Sequence, residues 1–199
     1  MNYEQIYNDL YRIGYHSKGK NHGRKFVLDI VTSEIEFSTV LDCGCANGFT
    51  VREFQKHHKK AYGIDISEIA IHYASEKFGI INCIQANILS IPYKDKFFNA
   101  VFSCDVLEHL IPEDVPTALK EMARVSNKYL FLKICYDVEG NTEFLKELKK
   151  DSRKYENIMN LHLTVMDKME WIKMITSITG MKYWKTLSQD LMIFRHKGV

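Results

Sequence analysis

Val40-Leu41-Asp42-Cys43-Gly44-Cys45-Ala46-Asn47-Gly48 is the stretch around which the rest of the chain is read. Its apolar start ends a short run with the character of a buried strand. Gly44, Ala46 and Gly48 then make a tight turn, and Phe49-Thr50-Val51-Arg52-Glu53-Phe54 opens a helical pattern. A strand, a turn of small residues and a helix start let a ligand approach bare backbone at the mouth of a parallel sheet. Downstream, Tyr62-Gly63-Ile64-Asp65-Ile66-Ser67 predicts a second strand that ends in a carboxylate. Placed about 20 residues after such a turn, a carboxylate suits a ribose whose hydroxyls need an acceptor.

Outward from this centre, short apolar runs alternate with helical segments, which implies βαβ units and a parallel sheet. Strands are predicted at about 39–43, 61–65, 82–85, 99–103 and 129–135. Helices are predicted from about Phe49 to His58, after Ser67 as N-cap, and from Pro116 with Ala118, Leu119, Met122 and Val125 on one face. Phe144, Leu145 and Leu148 mark another helix with a charged tail. Asp167 with Glu170 resembles a capping box before Trp171, Met174, Ile175 and Ile178, and Gly180 stops that helix. Met181–Leu187 and Asp190–Arg195 read as an antiparallel pair. At the other end, Ile6, Leu10 and Ile13 share a helical face, with Tyr3, Tyr7 and Tyr11 alongside. A glycine-rich basic loop over residues 14–23 separates this helix from one carrying Phe26, Val27, Ile30 and Val31. Residues 1–33 are therefore expected to form a helical cap and 34–199 the main domain.

Composition narrows the class. A hydrophobic fraction of 46% and a charged fraction of 26% are those of a soluble globular protein. A net charge of +2 is too small to argue by itself for nucleic acid or an anionic membrane, and neither is expected as a partner. No apolar run approaches a membrane span, and Met1-Asn2-Tyr3-Glu4-Gln5 lacks the features of an export signal. The 5 cysteines are expected to be reduced and buried in a cytoplasmic protein. Cys43 and Cys45 have no second pair at zinc spacing. The sequence carries no signal for an oligomeric state.

Leu41-Asp42-Cys43-Gly44-Cys45-Ala46-Asn47-Gly48 resembles motif I of the class I S-adenosylmethionine-dependent methyltransferases, and Gly63-Ile64-Asp65-Ile66-Ser67 resembles their motif II. Ala46 departs from the family's usual central glycine by one methyl group. The dinucleotide fingerprint G-x-G-x-x-G is not supplied by Gly44 to Phe49. The resemblance implies an α/β fold: a Rossmann-like, seven-stranded, mostly parallel sheet with helices on both faces and an antiparallel last strand. It also implies S-adenosyl-L-methionine as cofactor and S-adenosyl-L-homocysteine as product.

Ligands of open α/β sheets bind outside the carboxyl ends of the strands. The expected cofactor contacts are therefore Asp42, Gly44, Cys45, Ala46, Gly48, Asp65, Ile66, Asn87, Ile88 and Asp105. Gly44, Ala46 and Gly48 would let backbone amides approach the methionyl part and ribose. Asn87 stands where the family often has an aspartate, and its amide oxygen can accept from the adenine amino group.

Phe102 to Leu110 resembles motif IV but lacks the N/D-P-P-Y/F signature of base methylation. If Asp105 begins a helix, Asp105, Glu108 and His109 share a face at i, i+3, i+4. That spacing suits a divalent metal and resembles the metal-binding stretch of small-RNA 2′-O-methyltransferases and ubiquinone-pathway O-methyltransferases. Similar D-x-L-E-H stretches also occur in members not thought to use metal, and no metal is expected here. His162 precedes the capped helix in a stretch similar to one in bacterial sugar-pathway methyltransferases. His162, His109 and Asp105 are thus the catalytic candidates. His162 is favoured as the base that takes a hydroxyl proton. Tyr11, His16, Lys18, Lys20 and Tyr136 are the candidate substrate contacts. The expected activity is methyl transfer to a small polar acceptor, a hydroxyl of a sugar or phosphorylated metabolite. An RNA methyltransferase and a non-catalytic cofactor-binding partner subunit are the rivals.

Overall fold

β1 (Thr39–Cys43) lies inside the sheet, parallel to β2 (Lys60–Asp65) on one side and β4 (Phe98–Cys104) on the other. β3 (Cys83–Gln85) extends it beyond β2, and β5 (Ser126–Lys133) beyond β4, both in parallel. β7 (Met192–Arg195) inserts antiparallel between β5 and β6 (Lys182–Thr186). The order β3-β2-β1-β4-β5-β7-β6 is the expected seven-stranded sheet with its antiparallel last strand. The structure is a computed structural model that describes residues 1–15, 22–80, 82–137, 142–151, 155–156, 158–187 and 190–199.

Neighbouring strand residues point to opposite faces, and both faces are covered. On one face, Val40, Ala100, Phe102 and Phe131 meet α2 (His22–Glu34) through Val27, Leu28 and Val31. They also meet α3 (Phe49–Lys56) through Val51 and Phe54, and α4 (Glu68–Phe78) follows β2. On the other, Leu41, Val101, Leu130 and Phe194 meet Leu119 and Met122 of α5 (Val115–Val125) and Trp171 and Ile175 of α7 (Lys168–Thr179). Each large side chain buried this way contributes about 1.5–3 kcal/mol.

The helix signals act as read. Ser67 Oγ accepts from Ala70 N at 3.3 Å, and Pro116 sits in the first turn of α5. Asp167 and Glu170 close a capping box with bonds of 2.8 and 2.9 Å, and Gly180 ends α7 in the left-handed conformation. Most other boundaries fall within two residues of expectation; the end of α3 and both ends of β5 show why some move. α3 stops at Lys56, with His57 as its cap. β5 starts at Ser126 because α5 passes into it without a loop, Ser126 being extended (φ −85°, ψ 141°). It ends at Lys133, since the Cys135 amide leaves the ladder to donate to Glu108 Oε1 at 3.0 Å.

α1 (Tyr3–Arg12) lies across the carboxyl ends of the strands, tied at several points. Tyr3 Oη donates to Asp114 Oδ2 at 2.8 Å and accepts from Ile111 N at 2.9 Å. Ser67 Oγ donates to Asn8 Oδ1 at 2.6 Å, and Gln85 Nε2 donates to Glu4 Oε1 at 3.1 Å. Ile6 and Leu10 pack with Tyr15 against Leu145 and Leu148 of α6 (Thr142–Asp151). The expected cap of residues 1–33 thus separates into two parts. α1 roofs the strand ends, whereas α2 belongs to the helical layer under the sheet, because Val27, Leu28 and Val31 need its apolar face. Among the described residues no helix is long and apolar enough to cross a membrane. All five cysteines are unpaired, and Cys43, Cys45, Cys83 and Cys104 are buried.

Candidate active site

Beneath α1 the strand ends line a cleft with about 700 Å³ of empty space, open solvent at its mouth included. Gly44 and Ala46 after β1, Asp65 and Ile66 after β2, and Asn87 and Ile88 after β3 line one end. Cys104, Asp105, Val106, His109 and Leu110 after β4 line the other, and Tyr3, Tyr7, Tyr11 and Tyr15 form the roof.

The turn after β1 is held by β2. Gly44 and Cys45 amides both donate to the Ile64 carbonyl, at 2.8 and 2.9 Å, and the Ala46 amide donates to Asp65 Oδ2 at 2.9 Å. These donors are spent within the protein, so the expected role of the amides is revised. Toward a ligand these three amides would offer room rather than donors. Gly44 is required twice over: its φ is +81°, and a Cβ there would stand 2.4 Å from Val106. Gly63 serves the same turn from β2, where a Cβ would meet Cys45 and Cys83 at 2.7–2.8 Å. Asp42 is buried in β1 and Gly48 begins α3, so these two and Cys45 shape the turn and are not among the residues lining the cavity.

Asp65 is a buried carboxylate at the β1–β3 end of the cavity. Its Oδ1 accepts from Ser67 N at 2.9 Å while Oδ2 holds Ala46. Each oxygen keeps a second lone pair for a ribose hydroxyl. Burial pushes its pKa up to about 6, and the backbone hydrogen bonds pull the other way. Asn87 Oδ1 accepts from Leu89 N at 2.9 Å, which orients the amide at the cavity wall.

Asp105 does not begin a helix. Its φ is +57°, and the helical turn that follows is a 3₁₀ segment, Leu107–His109. Asp105 Oδ1 instead pairs with Lys133 Nζ at 2.6 Å. The expected shared face of Asp105, Glu108 and His109 is therefore not formed. His109 lines the cavity, and His162 stands behind it with ring centroids 4.8 Å apart at 83°. Both are buried. His109 Nδ1 donates to the Leu161 carbonyl at 3.0 Å and His162 Nδ1 to the Asp137 carbonyl at 2.6 Å.

Of the substrate candidates, Tyr11 lines the cavity and Tyr136 is not among the lining residues. Burial raises the Tyr136 phenol to about 12. His16, Lys18 and Lys20 lie outside the described residues. Tyr3, Tyr7 and Tyr15 join the site unexpectedly. Their four-residue spacing with Tyr11 was the available signal, since i, i+4, i+8 places tyrosines along one side of a helix.

Residues 41–132 match the model of a family described as a methyltransferase domain. That stretch is just under half of the chain, and the order of the sheet around it is Rossmann-like. Over 92 residues the chain is 30% identical to the malonyl-(acyl-carrier protein) O-methyltransferase of Halorhodospira halophila, covering 44% of this chain and 30% of that protein. Over 100 residues it is 29% identical to O-methyltransferase rstn1 of Aspergillus nomiae, covering 47% of this chain and 44% of that one. The chain thus spans less than half the length of these curated relatives. The magnesium protoporphyrin IX methyltransferase (ChlM) of Synechocystis PCC 6803, solved with bound SAH, shares the fold at 17% identity and a TM-score of 0.65 over 96% of each chain.

Proposed function

We propose that the protein transfers the methyl group of S-adenosyl-L-methionine to a hydroxyl of a small polar acceptor, with a sugar as the favoured class. The carrying observation is His109 on the wall of the same cavity that holds Gly44, Ala46 and Asp65. The cofactor's adenosine would lie along Asp65, Ile66, Asn87 and Ile88, which leaves its sulfonium facing Cys104 to His109. The tyrosine roof offers ring faces and hydroxyl edges, a match for the alternating C–H and O–H surface of a sugar. Two relatives, both named as O-methyltransferases, agree with an oxygen acceptor. A phosphorylated acceptor would draw on Lys18, Lys20 and His16. In such a direct displacement, the protein aligns the two reactants, keeps water out and eases the hydroxyl proton away.

The test is a screen with methyl-labelled cofactor against free and nucleotide-linked sugars, small carboxylates, amines and RNA. Label in an alkali-stable ether is the expected outcome. Label found only in esters, amines or RNA overturns the hydroxyl assignment. His109→Ala and His162→Ala are each expected to slow transfer by the roughly 10²–10⁴-fold typical of a lost acid–base group. Product-cofactor affinity should stay near the parent value, because the groups proposed to bind the adenosine belong to the other end of the cavity.

A further inference from the structure

Behind the acceptor end of the cavity, three buried side chains converge: Glu108, His109 and His162. A carboxylate oxygen and one nitrogen from each ring all lie within 4.8 Å of one another. Glu108 is fully buried, and its Oε1 accepts from Cys135 N at 3.0 Å. Its Oε2 is buried with no hydrogen-bond partner. An orphaned carboxylate oxygen in a protein interior is costly unless something positive meets it.

The two rings are prepared in the same way. Each gives its Nδ1 proton to a backbone carbonyl, at 3.0 Å for His109 and 2.6 Å for His162. In a neutral imidazole so held, the lone pair sits on Nε2. Carbonyl or carboxylate bonds of this kind are what orient histidines at metal ions and make them better ligands. The 3₁₀ turn and the segment carrying His162 are also fastened together. The Glu108 carbonyl accepts from Leu163 N at 2.7 Å and Thr164 N at 3.0 Å, and Thr164 Oγ1 donates to the Leu110 carbonyl at 2.7 Å.

We propose that Glu108, His109 and His162 form a binding site for one divalent first-row transition cation at the acceptor end of the cavity. Two imidazoles and one carboxylate suit manganese, iron, cobalt or zinc better than calcium or magnesium. Three protein ligands leave coordination positions open, as in catalytic sites. His109 borders the cavity, so an open position there would face the acceptor's oxygen, and a cation would ease loss of its proton. Asp105, which spacing alone had grouped with Glu108 and His109, is outside the site, since its carboxylate is paired with Lys133. The binding claim stands by itself; only the purpose given to the ion rests on the methyltransferase reading.

The experiment titrates Co²⁺ into metal-stripped protein, followed by visible absorption, with product-cofactor binding measured by calorimetry on the same samples. One Co²⁺ per chain is expected. Glu108→Gln and His162→Gln should each weaken it by more than the roughly 10–100-fold that follows loss of a mere outer partner. Asp105→Asn should leave Co²⁺ affinity as it is. Unchanged product-cofactor affinity in Glu108→Gln or His162→Gln reports that the variant is folded. No Co²⁺ bound by the parent protein, or equal binding by both ligand variants, overturns the proposal and leaves a hydrogen-bonded acid–base cluster. Co²⁺ bound as expected with no product cofactor bound by any sample would instead remove the methyltransferase reading and keep the cation site.

Discussion

Asp65 does two jobs with one carboxylate. It braces the turn after β1 through Ala46 N and the start of α4 through Ser67 N, and it faces the cavity where a ribose would sit. Asp65→Ala is expected to weaken cofactor binding by about 1–3 kcal/mol, the cost of leaving polar partners unpaired. Calorimetry that finds the parent affinity in this variant removes Asp65 from the site. Its pH dependence has a definite sign. The ionised form is the better acceptor, and burial holds the folded pKa at about 6, above the ordinary 3.8. Affinity should be flat above neutrality and fall by roughly tenfold per unit below pH 6, as one proton competes with the ligand. Stability runs the other way. A group whose folded pKa is raised contributes its stability below the unfolded value and loses it as pH rises through the folded one. For Asp65 that window is between about 4 and 6.

Among the elements, α1 is the one whose attachment matters most to the site. Its apolar side packs on α6, and its polar ties reach the segments that follow β2 and β4 and the last residue of β3. A single hydroxyl, Tyr3 Oη, joins it to both Ile111 N and Asp114. Tyr3→Phe keeps the ring and leaves that amide without its acceptor, for a cost of about 1–3 kcal/mol. Hydrogen exchange should quicken in residues 3–12 while the amides of β1 and β4 keep their protection. Equal loosening of the central strands would mean that α1 is part of the sheet's own cooperative unit. The tyrosine spacing of α1 was legible in the sequence. That its tyrosine side faces a cavity was not, because a helix pattern reports which residues share a side and never what that side meets.

At the scale of the molecule, the cavity joins residues from α1, the three strand ends after β1, β2 and β3, and the 3₁₀ turn after β4. A ligand that binds this arrangement and not the unfolded chain stabilises it by mass action. At a concentration 100 times its dissociation constant, S-adenosyl-L-homocysteine should add about 2.7 kcal/mol. For a chain of this size that is a rise in Tm of roughly 5–10 °C. A melting curve that does not move at saturating product would contradict a cofactor site spread over five elements.

What the residues alone determined is the part of this protein set by local and periodic rules. The buried strands, the Gly44 turn, Ser67 and Asp167 as caps, Gly180 as a stop and the antiparallel last pair follow from hydrophobic period, left-handed backbone and orphan amides at helix starts. Each is decided within a few positions of itself. The site beyond the cofactor turn was decided by tertiary structure. Asp105 was expected on a helix with Glu108 and His109, but a left-handed residue and Lys133, 28 positions away, turn it aside. His109 and His162 are 53 positions apart and meet where the Glu108 carbonyl holds Leu163 N and Thr164 N, the Leu110 carbonyl holds Thr164 Oγ1 and the Leu161 carbonyl holds His109 Nδ1. Glu108 gains its buried, half-satisfied carboxylate from the Cys135 amide where β5 ends. Contacts between residues so far apart depend on which strands are neighbours, and spacing along one segment carries no record of that.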